Sequence, residues 1–400
     1  MPNNGKNSTQ ISNEQKDYKP VPSQSKETKQ PHLIFDDFNI DVAIKVLSAT
    51  LFSPFFVIFL PAPLLTQTSS THPAFIFTCI WTCLICLIGI WNHIDRIYNS
   101  GGSWLLAPKK LNWNKQIVLI TGGGSGIGAL LAETLAARNI SVVVLTKYRP
   151  QFETKQDSIY TYICDVSDYK NVQAVAQHIR EEVGDPTIIV NNAGVVKGKL
   201  LLDLTEDDIT DTFGSNTLAN FWVLKAFLPA LLRKGEGHIV TVSSLLGVVG
   251  AAQMTDYCAS KAALINLNQS LRFELDNRYE TPNIRTTILL PSFIQTSLFS
   301  KIKLPTEQSK IFKFFCPDLE PHSIVKVIID NLESRESKII RLPFYTNASR
   351  FINDFVGITP NWLKDFVQHV SGADHAMVDY GPKPDAAERL IAEREKQKGE

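Results

Sequence analysis

Apolar and polar positions divide the chain into four unlike stretches. Residues 1–31 carry Asn, Gln, Ser, Lys and Pro with almost no apolar periodicity. Such a segment cannot offset its ordering entropy by burial, so a disordered tail is expected. In the second stretch, 32–100, two uncharged runs at 46–65 and 73–91 flank a polar link at 66–72. At 20 and 19 residues, each run approaches the length that crosses a bilayer as a helix, which predicts an apolar helical membrane hairpin. Pro54, Pro61 and Pro63 interrupt the first run, so a kinked, re-entrant or monotopic leg stays open. In the third stretch, 113–345, short apolar runs at 117–121, 141–146, 159–164, 187–190, 238–242, 285–290 and 338–342 alternate with helical patterns. That alternation predicts an α/β fold, a doubly wound parallel sheet of seven strands. The remainder, 346–400, reads as a helical extension and a charge-balanced tail.

Charge changes this picture in two ways. Forty basic and forty acidic residues cancel, so no overall field favours nucleic acid, and none is expected as a partner. No Asp, Glu, Lys or Arg lies between Lys45 and Asp95, a longer charge-free stretch than soluble core helices carry. Lys26, Lys29 and Lys45 precede the hairpin, Arg96, Lys109 and Lys110 follow it, and the link has neither Lys nor Arg. Both ends of the hairpin are therefore expected on the cytosolic side, with Trp81, Trp91 and Trp104 as interface anchors. Six cysteines lack the density and spacing of a disulfide or zinc framework, which agrees with a reducing compartment.

The first strand candidate runs straight into Thr121-Gly122-Gly123-Gly124-Ser125-Gly126-Ile127-Gly128 and then a helical pattern. A strand, glycine turn and helix in this order bind a dinucleotide. Gly122 permits the tight turn, Gly126 lets the backbone approach a pyrophosphate, and Gly128 lets helix and strand pack closely, with Ser125 and Ile127 completing the cradle. The end of the second strand, where NAD binding favours a carboxylate, is Thr146-Lys147-Tyr148-Arg149. A hydroxyl and two cations suit a 2′-phosphate, so NADP(H) is favoured over NAD(H). Asp165, followed by Val166, stands where it reaches an adenine, and Asn192-Ala193-Gly194 closes the cofactor floor.

Tyr257 and Lys261 are four residues apart, hence on one face of a helix. Ser244 ends the fifth strand candidate, and Asn216 lies in the helix-forming stretch 214–232. The glycine turn, Asn, Ser and Tyr-x-x-x-Lys in this order resemble the short-chain dehydrogenase/reductase family, over 113–342. The stretches 216–222 and 372–377, with the apolar N-terminal region, resemble its membrane-associated retinol and 17β-hydroxysteroid dehydrogenase branch.

That resemblance implies a Rossmann sheet and hydride transfer between a nicotinamide and a carbinol or carbonyl carbon. Tyr257 is the implied acid/base. A free phenol, with a pKa near 10, holds its proton too tightly, and nearby cations favour the phenolate. Lys261 would also bind the nicotinamide ribose, Ser244 the substrate oxygen, and Asn216 would support a water path. Pro291, Ile294 and Thr296 belong to a loop similar to the one that contacts the nicotinamide carboxamide, although the family more often has Gly where Ser292 stands. Residues 298–315, apolar with interspersed Lys, read as a lipophilic lid or a packed helix pair. The expected substrate is a retinoid, steroid or fatty-acyl-derived carbonyl. A reductase of long-chain keto-lipids, of the ketosphinganine or acyl-dihydroxyacetone phosphate type, and an idle scaffold that keeps the fold are the alternatives. A homodimer and a cytosol-facing site on the endoplasmic reticulum or a lipid droplet are implied by the same resemblance.

Overall fold

Seven parallel strands lie in the order β3-β2-β1-β4-β5-β6-β7. They are β1 (Ile117–Thr121), β2 (Ser141–Thr146), β3 (Ile159–Ile163), β4 (Ile188–Asn191), β5 (Gly237–Val242), β6 (Ile284–Pro291) and β7 (Lys338–Leu342). The order reverses between β1 and β4, and this switch opens a crevice at the strand C-termini. A computed structural model describes residues 39–101, 111–150, 152, 157–294, 296, 298, 314–317, 319–347 and a few isolated later positions. The expected tail at 1–31, Trp104, the stretch 372–377, most of 346–400 and the centre of the apolar segment 298–315 lie outside the described residues.

Ahead of the sheet stand α1 (Ile40–Ala49), α2 (Pro54–Val57), α3 (Pro61–Gln67) and α4 (Pro73–Ser100). Among and after the strands come α5 (Gly126–Ala136), α6 (Tyr169–Glu182), α7 (Glu206–Phe213), α8 (Ala219–Lys234), α9 (Thr255–Asn277) and α10 (Pro321–Ser334). Alternate strand residues face opposite ways, so one sheet feeds two cores. Val118, Ile120, Val142 and Val144 pack with Leu131 and Leu135 of α5 and Ile324 and Ile328 of α10. Leu119, Val143 and Ile189 pack on the other side with Ile179 of α6, Phe227 of α8 and Leu271 of α9. Each fully buried side chain of this size contributes about 1.5–3 kcal/mol.

The charge-free stretch does not form two matching legs. Among the described residues, helix α4 alone is long and apolar enough to cross a membrane, while α1 and the segment 54–67 form a pair bent by 43°. Prolines cause the break: Pro54 starts α2 and Pro61 starts α3. Val57, buried in the bend, leaves a carbonyl that accepts from the Thr82 hydroxyl on α4 at 3.0 Å. The two legs meet where Gly89 faces the Pro54 ring, and Phe52 packs on Trp81 with ring centroids 5.3 Å apart. Little of α4's apolar window is buried, and Phe77, Ile80, Leu87 and Trp91 are exposed, unlike a soluble core helix.

At 28 residues α4 is about 42 Å long, while a hydrocarbon core needs about 20 residues. Its last two turns therefore extend beyond the apolar window, and they dock beside the starts of β6 and β7. Arg96 pairs with buried Glu336 at 2.9 Å, the Ser337 N–H donates to Asn99 O at 3.0 Å, and Arg285 Nη2 donates to Ser100 O at 2.6 Å. The bonds to Asn99 O and Ser100 O satisfy carbonyls that a helix end otherwise leaves open. The far end of β7 is tied as well, because the Phe344 N–H donates to Asp41 Oδ1 of α1 at 2.9 Å.

Candidate active site

The glycine turn is built as its order suggested. Gly122 has φ +64°, and its N–H donates to Leu145 O at 2.8 Å; a Cβ there would meet the Ala193 backbone at 2.8 Å. Gly128 is equally constrained, with Asn192 Nδ2 and Gly122 O both 2.6 Å from where a Cβ would sit. Gly126 differs: at φ +56° it faces open space, with nothing within 4 Å of its Cβ position. Ser125 precedes α5 without a side-chain cap, so the first N–H groups of the helix lie beside that space. An anion fits this cradle. Thr121, which the motif did not single out, holds the floor: its hydroxyl oxygen accepts from the Asn192 and Ala193 N–H groups at 3.0 Å each. Asn192 Nδ2 in turn donates to Thr121 O and Gly122 O.

At the ends of β2 and β3 the expected adenosine-side residues contact one another. Lys147 Nζ lies 2.8 Å from Asp165 Oδ2, while Asp165 Oδ1 accepts from the Ser167 N–H and hydroxyl. Burial alone would raise the Asp165 pKa, but the bonds from Lys147 and Ser167 outweigh it and hold the carboxyl below its usual range. The same bond, donated by Lys147 to Asp165, raises the Lys147 pKa in return. The Thr146 hydroxyl donates to Tyr148 O at 2.8 Å, and Lys147, Tyr148 and Arg149 are exposed. Val166 is buried in the core beside α6.

Ser244, Tyr257 and Lys261 line one cleft together with Ile127, Asn192, Gly194, Pro291, Ser292, Ile294, Thr296 and Leu298. Strand β5 delivers Ser244, whose Oγ accepts from the Leu246 N–H at 3.1 Å. Helix α9 delivers Tyr257 and Lys261, both only 4% exposed. Lys261 Nζ lies 5.7 Å from the Tyr257 ring centroid and donates to Val242 O at 3.0 Å. Burial lowers its pKa to about 8, so the ammonium form still predominates at neutral pH. Ser243 secures the same helix by donating to Lys261 O at 2.8 Å.

Asn216 lies in a helical stretch, as expected, but not in a regular α-helical turn. A π-helical turn, Gly214–Leu218, joins α7 to α8 and buries the residue completely. The cause is visible in its side chain. Asn216 Oδ1 accepts from the Val195 N–H at 2.7 Å, and Nδ2 donates to Val195 O and to Ser260 Oγ. These bonds draw the helix against the strand-end loop behind Lys261. Gly194 fits between the two, with Asn216 Oδ1 and Lys261 Nζ 3.2 and 3.4 Å from its Cβ position.

Residues 116–307 match the family model described as short chain dehydrogenase. Retinol dehydrogenase 10-B of Danio rerio is 35% identical over 57% of this chain and 74% of its own length. The chain belongs to the short-chain dehydrogenase family. Among other members it is 31% identical to short-chain dehydrogenase/reductase family 16C member 6 of Bos taurus, over 69% of this chain and 86% of that one. Retinol dehydrogenase 10 of Homo sapiens is 34% identical, over 57% and 74%. Solved structures share the fold: 4-hydroxyisoleucine dehydrogenase complexed with NADH superimposes with a TM-score of 0.50 at 22% identity, over 57% of this chain and 96% of that one. Ligand-free aldohexose dehydrogenase of Thermoplasma acidophilum does so with a TM-score of 0.50 at 22% identity, over 58% and 94%. This short-chain dehydrogenase is thus an oxidoreductase of CH–OH groups with a nicotinamide dinucleotide fold.

Proposed function

We propose that this dehydrogenase is a membrane-anchored enzyme that works with NADP(H) on a lipophilic alcohol or carbonyl compound, with Tyr257 as the acid/base. The observation that carries the reading is the convergence of Ser244, Tyr257 and Lys261 on the cleft floored by Ile127, Asn192 and Gly194. Gly122, Ser125, Gly126, Ile127 and Gly128 would hold the pyrophosphate, Lys147 with Thr146 the 2′-phosphate, Asp165 and Val166 the adenine side, and Ala193, Pro291, Ile294 and Thr296 the nicotinamide side. When bound, the nicotinamide supplies or accepts the hydride.

The chain's own residues handle the proton. Ser244 holds the substrate oxygen, and Tyr257 gives that oxygen a proton from its hydroxyl in reduction or, as the phenolate, takes one from it in oxidation. The Lys261 ammonium, 5.7 Å from the ring centroid, favours the phenolate. Asn216 positions this pair through the Val195 backbone and Ser260.

The exposed span α4 and the apolar residues Ile294 and Leu298 on the cleft support a lipid-soluble substrate, a retinoid, steroid or fatty-acyl-derived carbonyl. The cations flanking the charge-free stretch favour a cytosol-facing domain on the endoplasmic reticulum or a lipid droplet. A homodimer would use the apolar groove along α8 and α9, lined by Phe221, Leu224, Leu228 and Leu267.

The test is a screen of the full chain in detergent with NADPH and NADH against retinals, keto-steroids and long-chain ketones. Turnover with a lipophilic carbonyl, lost in Tyr257→Phe with dinucleotide binding retained, is the expected result. Undiminished turnover in that variant would refute the acid/base role, and dinucleotide binding without turnover of any substrate would favour a scaffold.

A further inference from the structure

Ser292 follows directly on β6 and lines the cleft with Tyr257 and Lys261. Two bonds hold it from the strand next door. Its N–H donates to Leu342 O, the last residue of β7, at 2.8 Å. Its hydroxyl lies 2.5 Å from the hydroxyl of Tyr345, on the 3₁₀ turn Phe344–Asn347 that follows β7. That turn is firm in itself, since Pro343 O accepts from both the N–H and the hydroxyl of Thr346. Its opening residue, Phe344, donates its N–H to Asp41 Oδ1 on the first turn of α1 at 2.9 Å. A carboxylate acceptor makes this the stronger kind of backbone bond. Helix α1 is itself fixed at that end, where Asn39 Oδ1 accepts from the Val42 N–H.

The first leg of the apolar hairpin and the cofactor-facing side of the cleft are therefore linked through Asp41, Phe344, Tyr345 and Ser292, the middle two lying within three residues of the end of the edge strand β7. We propose that Tyr345 and Asp41 are positioning residues, through which the membrane hairpin holds Ser292 and the loop after β6 in place for the dinucleotide. The inference rests on the cofactor reading above. It makes the hairpin a working part of the site as well as an anchor. A half-buried hydroxyl pair such as this holds its geometry only while the partner is fixed, and here the partner is carried by a turn tied to α1.

The experiment uses the full chain in nanodiscs and measures NADPH affinity by fluorescence alongside KM, kcat and thermal unfolding. Tyr345→Phe and Ser292→Ala are each expected to weaken NADPH binding about 3- to 10-fold with unfolding temperature little changed. The double variant should be no weaker than the worse single one, because both remove the same bond. Asp41→Ala should raise the KM for NADPH similarly, while Asp41→Asn, whose amide oxygen still accepts from Phe344, should restore it. Effects of Tyr345→Phe and Ser292→Ala that simply multiply, an Asp41→Asn variant as weak as Asp41→Ala, or a Tyr345→Phe variant with wild-type affinity would each overturn the proposal alone. A wild type that binds neither dinucleotide would overturn the cofactor reading and this inference with it.

Discussion

The guanidinium of Arg285, at the start of β6, donates to the carbonyl oxygen of Ser100, the last residue of the long apolar helix, at 2.6 Å. Arg285 is buried, and burial together with Arg272 and Arg335 lowers its pKa to about 10. The negative end of a helix dipole is a suitable partner for such a cation. Gly101 makes the approach feasible. It has φ +60°, and a Cβ there would lie 2.3 Å from Arg285 Nη2.

Gly101→Ala is accordingly expected to destabilise the protein by about 1–2 kcal/mol from the left-handed backbone alone, with the displaced guanidinium adding to it. A fall of roughly 3–8 °C in thermal unfolding in detergent should follow. An unchanged midpoint would show that the helix end is not clamped.

Lys261 sets stability against activity. Its folded pKa of about 8 lies below the ordinary 10.5, so from pH 8 to 10.5 the unfolded chain holds a proton that the native state has released. Stability from this group therefore rises with pH across that window, and below pH 8 the buried ammonium costs up to about 3 kcal/mol. Lys261→Met should raise the unfolding temperature at pH 7, lose that advantage by pH 10, and abolish turnover. A variant less stable at pH 7 would contradict the assignment of the cost to a buried charge.

On the NADP(H) reading proposed above, the Lys147–Asp165 pair at 2.8 Å would bear on cofactor choice. Asp165→Asn removes the carboxylate that competes with a 2′-phosphate for Lys147, so NADPH affinity should rise several-fold relative to NADH. Thr146→Asp combined with Lys147→Ala should move the preference towards NADH by tenfold or more. The ratio of the two dissociation constants checks both, and a ratio that neither variant moves would discredit the loop's role.

His238, buried on β5 and bonded to Thr287 at 2.8 Å, has its pKa lowered to about 3 by burial first and then by Arg285 and Arg335. The unfolded chain takes up a proton below about pH 6.5 that the native state refuses, so stability is lost as pH falls from about 6.5 towards 3. His238→Gln should flatten this loss by up to about 1.4 kcal/mol per pH unit within the window. Urea midpoints at pH 6.5, 5.5 and 4.5 would measure the slope.

Much of the sheet was legible because its signals are local. Each strand candidate fell within a residue or so of the observed strand, since a buried parallel strand must be apolar along its run. The glycine turn was legible for a related reason: Gly122 and Gly126 have positive φ, and Gly128 has no room for a side chain. The hairpin was legible in outline. Pro54, Pro61 and Pro63 marked the first leg as interrupted, and the structure breaks it at Pro54 and Pro61, but a charge-free count cannot register that α4 continues to Ser100 through Asp95 and Arg96. The helical stretch around Asn216 was legible, but the π turn that carries it was not, because that turn depends on bonds to Val195, 21 residues away.

The chain's own order of residues determined the α/β class, the strand positions, the glycine turn and an apolar run at 73–91 long enough for a bilayer, all of which arise from backbone limits and short-range periodicity. Only the folded arrangement decided which polar groups meet: Lys147 with Asp165, Arg285 with Ser100, and Tyr345 with Ser292. The reason is physical. Removing a polar group from water requires a partner, and in a parallel sheet with crossover helices that partner comes from a distant part of the chain.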